Sequence, residues 1–185
     1  MPTLETPRLV LRDVRETDFA AIQGWAGNID NIKYMTFGPN SEGDTRAWIA
    51  KAMKSALDKP RTEFHFAVTL QSTGEVIGTC GIDREKAWYA DRFINGSVGW
   101  ILHMDYWKQG YGTELAGALL RFGFGELGLH RIHATCDAEN YGSRRVMERS
   151  GMRREAVLRE KILARDGTWH DQYDYAMLNA ECLIM

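Results

Sequence analysis

The chain has 185 residues, 44% of them hydrophobic and 26% charged, which fits one globular domain and excludes a disordered, collagen-like or coiled-coil chain. Lys and Arg number 23 against 25 Asp and Glu, so a net charge of −2 lacks the basic excess of a dedicated nucleic-acid binder. No apolar run approaches the ~20 residues that span a bilayer, and the first residues, Met1 to Glu5, lack the basic and apolar segments of a leader, so neither export nor membrane insertion is expected.

In chain order, Arg8-Leu9-Val10-Leu11-Arg12 reads as a strand, and Phe19, Ile22 and Ala26 recur behind it at helical spacing. Asn28 to Gly43, rich in Gly, Pro, Asn and Ser, reads as a loop before Asp44 caps a second helix with Trp48, Ile49, Ala52, Met53, Ala56 and Leu57 on its apolar face. Pro60 ends that helix, since proline cannot continue the hydrogen-bond ladder. Phe64, Phe66, Val68 and Leu70 alternate as in a half-buried strand, and Ser72-Thr73-Gly74 turns the chain into a second strand, Val76 to Ile82. A charged aromatic loop, Asp83 to Asn95, then leads to a third strand, Val98 to Leu102, which completes an antiparallel meander.

The rhythm then changes to helix, strand, helix. Leu115, Ala118, Leu119 and Phe122 line one helical face, with Gly128 at its carboxyl cap. Ile132, Ala134 and Cys136 face one way in a strand, Asn140 caps a short helix containing Val146 and Met147, and Gly151 ends it. Tyr173, Tyr175 and Met177 alternate in a last strand after a Gly167 turn. With no repeat or linker, residues 1–185 read as one α/β domain with a mixed, mostly antiparallel sheet of about seven strands and about four helices.

The segment Lys108-Gln109-Gly110-Tyr111-Gly112-Thr113 lies between the strand ending at Leu102 and a helix. A glycine loop at a helix start gathers unpaired N–H groups and the positive dipole end, the makings of an anion site; a plain tight turn is the other reading. The spacing is neither GxxxxGK[ST] nor GxGxxG, which removes support for nucleoside triphosphate or dinucleotide binding. Cys80, Cys136 and Cys182 lack CxxC spacing, and His65, His103, His130, His133 and His170 lack HxxxH or HExxH, so neither a disulfide framework nor a metal site is expected. A reducing cytoplasm suits three scattered thiols.

The chain resembles the GNAT superfamily of N-acetyltransferases, in its RimJ/RimL-like branch. The resemblance rests on Glu5-Thr6-Pro7-Arg8-Leu9-Val10-Leu11-Arg12, Gly99 to Leu102, Tyr106 to Glu114, Asn140, Ser143, Glu148, Ser150-Gly151-Met152 and Asp166 to Asp171. It implies acetyl-CoA as cosubstrate, its diphosphate on the N–H groups of Gln109, Gly110, Tyr111, Gly112 and Thr113 with help from Lys108. It further implies that the amide arm pairs like a strand with Ile101, Leu102 and His103. An amine acceptor, a peptide N-terminus or a small molecule, completes the reaction, without metal, nucleic acid or membrane; a homodimer is compatible with the family.

For catalysis, a neutral amine must attack the thioester carbonyl, and an acid assists the departing thiolate. The tyrosine that many relatives place seven residues after the motif asparagine is here Met147, while Ser143, three residues after Asn140, takes the position of a branch-specific serine. Ser143 is thus the candidate proton donor, and Asn140 the candidate holder of the pantetheine or acetyl end; both also suit a helix start. Relatives often carry a glutamate two residues before Gly99, whereas this chain has Ser97, so Asp83, Glu85 or His103 acting through water are the candidate bases. Asp30, Asp83, Glu85 and Asp91 are expected to attract a cationic acceptor, with 28–43 and 83–95 forming its mouth, and His133 is expected to pack against a helix. The absent tyrosine and glutamate also admit a non-catalytic acyl-CoA binding module.

Overall fold

The computed structural model describes residues 2–89 and 91–182. Eight strands form one sheet: β1 (Leu4–Glu5), β2 (Leu9–Asp13), β3 (Glu63–Leu70), β4 (Val76–Lys86), β5 (Phe93–Leu102), β6 (Arg131–Asp137), β7 (Arg153–Leu163) and β8 (Trp169–Leu178). Their order is β1-β2-β3-β4-β5-β6-β8-β7, and every neighbouring pair is antiparallel except β5 and β6. The α-helices are α1 (Phe19–Ala26), α2 (Glu42–Ser55), α3 (Tyr111–Arg121), extended by a π-helical turn over Phe122–Glu126, and α4 (Tyr141–Arg149).

Side-chain alternation divides the sheet into two faces. Phe64, Phe66, Ile82, Val98 and Ile132 are buried on one face against Leu115, Leu119 and Phe122 of α3 and its extension, and Met147 of α4 joins the same core. Each such side chain contributes about 1.5–3 kcal/mol by leaving water. On the other face α1 and α2 bring Ile22, Trp25, Ile49 and Ala52 onto Ala67, a smaller core that leaves part of the sheet uncovered. That uncovered part becomes the floor of the site.

Several sequence expectations shift in the structure. Ser41, not Asp44, is the N-cap of α2: its Oγ accepts from the Asp44 N–H at 3.2 Å, while Asp44 Oδ2 accepts from the Ser41 N–H at 2.9 Å, a reciprocal capping box. The supposed loop at 83–95 is mostly strand, since β4 runs to Lys86 and β5 starts at Phe93. Strand β7 had no counterpart in the sequence reading; it and the two-residue β1 bring the sheet to eight strands. Gly128 and Gly151 adopt the left-handed conformation expected of helix ends, with φ of +63° and +85°.

Candidate active site

The parallel pair opens into a gap. Strands β5 and β6 are in register at only three positions, Asn95↔Arg131, Gly96↔Ile132 and Ser97↔His133, after which β5 continues to Leu102 without β6 beside it. The backbone direction along β5 follows from two hydrogen bonds: His130 N–H reaches the Ile94 carbonyl at 2.7 Å on the β6 side, and His103 N–H reaches Ile77 at 2.8 Å on the β4 side. Because groups alternate along a strand, the N–H and C=O of Val98 and Trp100 and the N–H of Leu102 face the gap. The Leu102 carbonyl is already engaged by Trp107 Nε1 at 2.8 Å and Asn31 Nδ2 at 3.1 Å. Of the three residues expected to supply this edge, Ile101 and the His103 N–H point at β4, the His103 carbonyl accepts from the Tyr106 N–H at 2.9 Å, and the main chain that faces the gap is that of Val98 and Trp100 with the Leu102 N–H.

Two helix starts flank the wide end of the gap, because β5 runs on into α3 and β6 into α4. Ahead of α3, Lys108 and Gly110 adopt φ of +61° and +86°. The left-handed turn costs glycine little and a lysine about 1–2 kcal/mol. The loop is braced from within, Gln109 Nε2 donating to the Asp105 carbonyl at 2.8 Å. The first helical bond is Glu114 N–H to the Gly110 carbonyl at 3.1 Å, so among the described residues the N–H groups of Gln109, Gly110, Tyr111, Gly112 and Thr113 have no partner. Five adjacent donors around a helix amino terminus make a nest for an anion, which fits a diphosphate.

At α4, Asn140 Oδ1 accepts from the Ser143 N–H at 3.0 Å, the cap expected from sequence. The Ser143 hydroxyl itself has no hydrogen bond among the described residues, whereas Met147 lies fully buried in the core. The turn between β6 and α4 is held by His170, whose Nδ1 lies 2.8 Å from Oδ2 of buried Asp137. That hydrogen bond raises the imidazole pKa, desolvation opposing it and the nearby carboxylates of Asp137, Glu139 and Asp166 reinforcing it.

A cavity of about 980 Å³ passes through the gap, lined on one side by Val98 to Ile101 and on the other by His133 to Thr135. Its floor is a pair of directly opposed glycines, Gly81 and Gly99, and a β-carbon at Gly99 would meet nothing within 4 Å. Trp25 and Trp48 form a wall, and residues 37–40 a roof. The roof is pinned by Arg165 of the β7–β8 turn, which donates to the carbonyls of Gly38 (2.6 Å), Met35 (3.2 Å) and Phe37. No sequence signal links positions so far apart.

The acids around this cavity sort themselves by partner. Glu85 Oε1 lies 2.9 Å from His133 Nε2, which places His133 on the cavity side of β6 rather than against a helix. Glu63 is held by Lys51 at 3.0 Å and His65 at 3.2 Å, which lower its pKa, and Asp44 is committed to its cap. Asp83 pairs with no cation among the described residues and stands directly across the ladder from Ser97, on the same face. Asp83 is exposed at the cavity rim, and the partial desolvation there raises its pKa, Glu63 and Glu85 adding to the effect and His65 and Lys51 opposing it. Of the four acids expected to attract a cation, Asp83 alone lines the cavity; Asp91 is tied to Lys86 at 2.5 Å. His103 is absent from the lining, its Nδ1 accepting from the Asp105 N–H at 3.3 Å.

Comparison with known proteins places this geometry. Residues 8–153 match the model of the acetyltransferase (GNAT) domain. The chain is 32% identical over 178 residues to the uncharacterized N-acetyltransferase YnaD of Bacillus subtilis, covering 96% of this chain and 98% of that one. It superposes on the crystal structure of a GNAT-family acetyltransferase from Bacillus anthracis with a TM-score of 0.81 at 33% identity, covering 97% and 100% of the two chains. A spermidine N-acetyltransferase from Vibrio cholerae, solved with CoA and spermine, shares the fold with a TM-score of 0.78 at 21% identity, over 94% and 96% of the chains. The chain belongs to the GNAT family of acetyltransferases.

Proposed function

We propose that this acetyltransferase, in the RimJ/RimL-like branch, moves an acetyl group from acetyl-CoA to a primary amine by direct attack, without a covalent acyl-enzyme. The observation that carries the proposal is a cavity on the acceptor side that reaches the β5–β6 gap, where Val98 to Ile101 and His133 to Thr135 line it, on the same two strands that run on into the helix starts of α3 and α4. Donor and acceptor can approach from opposite faces of the sheet and meet in the gap.

When bound, acetyl-CoA supplies an acetyl group activated as a thioester. The N–H groups of Gln109 to Thr113 grip the diphosphate, and Lys108 adds positive charge at the rim. Val98, Trp100 and the N–H of Leu102 offer the arm a strand edge, its amides completing the ladder that β6 leaves open. Asn140 holds the inner end of the arm, and as the C–N bond forms and the C–S bond breaks the Ser143 hydroxyl donates to the departing sulfur and is reprotonated by the second proton that the nitrogen loses, relayed through solvent. An amine arrives protonated, since its pKa of about 10 lies above neutrality. Asp83 receives that proton, directly or through a water, and its raised pKa brings it closer to the working pH of a general base. Overall, ammonium and thioester become amide, thiol and one released proton. Positioning both reactants in one gap lowers the barrier further.

A steady-state assay of thiol release from acetyl-CoA tests the proposal across a panel of peptides and small amines. Saturable release that depends on both substrates is expected. Tight CoA binding with no turnover on any amine would instead make the protein a binding module.

A further inference from the structure

The amino-terminal segment makes one unusually dense contact that the reaction above does not use. Glu114, in the first turn of α3, accepts hydrogen bonds from Thr6 Oγ1 (2.6 Å), the Arg8 N–H (2.8 Å) and Arg8 Nε (2.7 Å), and its Oε2 also lies 2.7 Å from Arg8 Nη2. Arg8 Nη1 donates to the Gln109 carbonyl at 3.0 Å, and the guanidinium lies over the Tyr111 ring, 4.3 Å from its centre. A β-carbon at Gly110 would sit 3.3 Å from Arg8 Nη2, so the guanidinium packs directly on the glycine.

Two consequences follow for the diphosphate nest. The Gln109 carbonyl and the Gly110 N–H belong to one planar trans peptide and point in opposite directions. Holding the carbonyl on Arg8 therefore turns the Gly110 N–H away from Arg8, toward the anion. Secondly, Glu114 puts a negative charge within the first helical turn, where it would repel a diphosphate. The two-pronged pairing with Arg8 neutralises it. Desolvation alone would raise the Glu114 pKa, yet the hydrogen bonds from Thr6 and Arg8 and the Arg8 charge hold it below its ordinary value.

We infer that Arg8 is a positioning residue for the coenzyme, aiming the Gly110 N–H and screening Glu114 so that the α3 amino terminus accepts a diphosphate. The inference rests on the coenzyme reading above. Lysine cannot replace the planar fork, because one ammonium cannot bridge Glu114 and the Gln109 carbonyl with the same geometry.

The test titrates CoA by calorimetry, and pantetheine, the same thiol arm without phosphates, by displacement. The proteins are wild type, Arg8→Ala, the gentler Arg8→Lys, and Arg8→Ala combined with Glu114→Gln, each checked for folding by circular dichroism. Arg8→Ala is expected to raise the Kd for CoA at least tenfold and to leave pantetheine within twofold. Arg8→Lys falls between, and Glu114→Gln regains at least threefold in the Arg8→Ala background because the unscreened charge is gone. A purely structural role would weaken both ligands equally, and that result, or wild-type CoA affinity in both Arg8 variants, overturns the inference. Wild-type protein that fails to bind CoA overturns the coenzyme reading itself.

Discussion

Gly112 links the fold to the site, and replacing it with alanine tests that link. A β-carbon at Gly112 would lie 2.7 Å from Cγ2 of Val146 on α4, whereas ordinary contact begins near 3.4 Å, so Val146 must retreat by about 0.7 Å. Val146 is β-branched and stiff in a helix, and α4 is fixed by the Asn140 cap at one end and by buried Met147. Overpacking of this kind costs about 1–3 kcal/mol, while removing a helical glycine returns about 0.5–1 kcal/mol. A net loss of about 1–2 kcal/mol corresponds to a fall in Tm of about 2–8 °C for a chain of this size. Thermal unfolding of Gly112→Ala, Val146→Ala and the double variant reads the clash directly. The double variant should be more stable than the sum of the single losses allows, by about 1 kcal/mol or more. CoA affinity should fall in Gly112→Ala and recover with it, because the clash moves two helix starts that share the ligand. An unchanged Tm, or additive losses, would refute the claim that helix approach dictates this glycine.

Ser143→Ala should leave Tm unchanged within the error of unfolding curves and CoA affinity intact, because the hydroxyl has no partner among the described residues, while kcat falls about a hundredfold, the lower end of what a positioned proton donor supplies; equal loss of kcat and CoA affinity would assign the serine to binding. The raised pKa of His170 means that its contact with Asp137 contributes stability fully below about pH 6.5, the unfolded value, and loses it as pH rises through the folded value. Wild-type Tm should therefore fall more steeply than that of His170→Asn from about pH 6.5 upward, and parallel curves would contradict the shift. Arg165→Ala, which releases the roof carbonyls of Met35, Phe37 and Gly38, should raise the acceptor KM several-fold with CoA affinity unchanged; a loss of CoA affinity instead would place Arg165 in the donor site.

The elements that sequence made legible are those whose signal is local. Phe64, Phe66 and Val68 alternate because one face of β3 is buried, and Gly110, Gly128 and Gly151 stand where the backbone turns left-handed. The Asn140 cap needs only its own helix start, and it was readable for that reason. Strand β7 was invisible because it is an edge strand paired only with β8, and its Arg, Glu and Lys side chains are largely solvated on both faces. The direction of each main-chain group along β5 was likewise hidden. It depends on which neighbour takes the odd residues, and only the β4 pairing decides that Val98 and Trp100, not Ile101 and His103, face the gap. Asp83 is a candidate base from the sequence alone, but that it stands directly across the ladder from Ser97 follows only from the β4–β5 register.

A crystal structure with bound CoA would show whether the α3 nest and the open edge of β5 hold the coenzyme. Diphosphate oxygens should lie within about 3.2 Å of at least three of the N–H groups from Gln109 to Thr113, with the arm's amides paired with Val98 and Trp100 inside the β5–β6 gap. A coenzyme bound elsewhere on the sheet, with that nest and that edge left to water, would rule out this mode of binding.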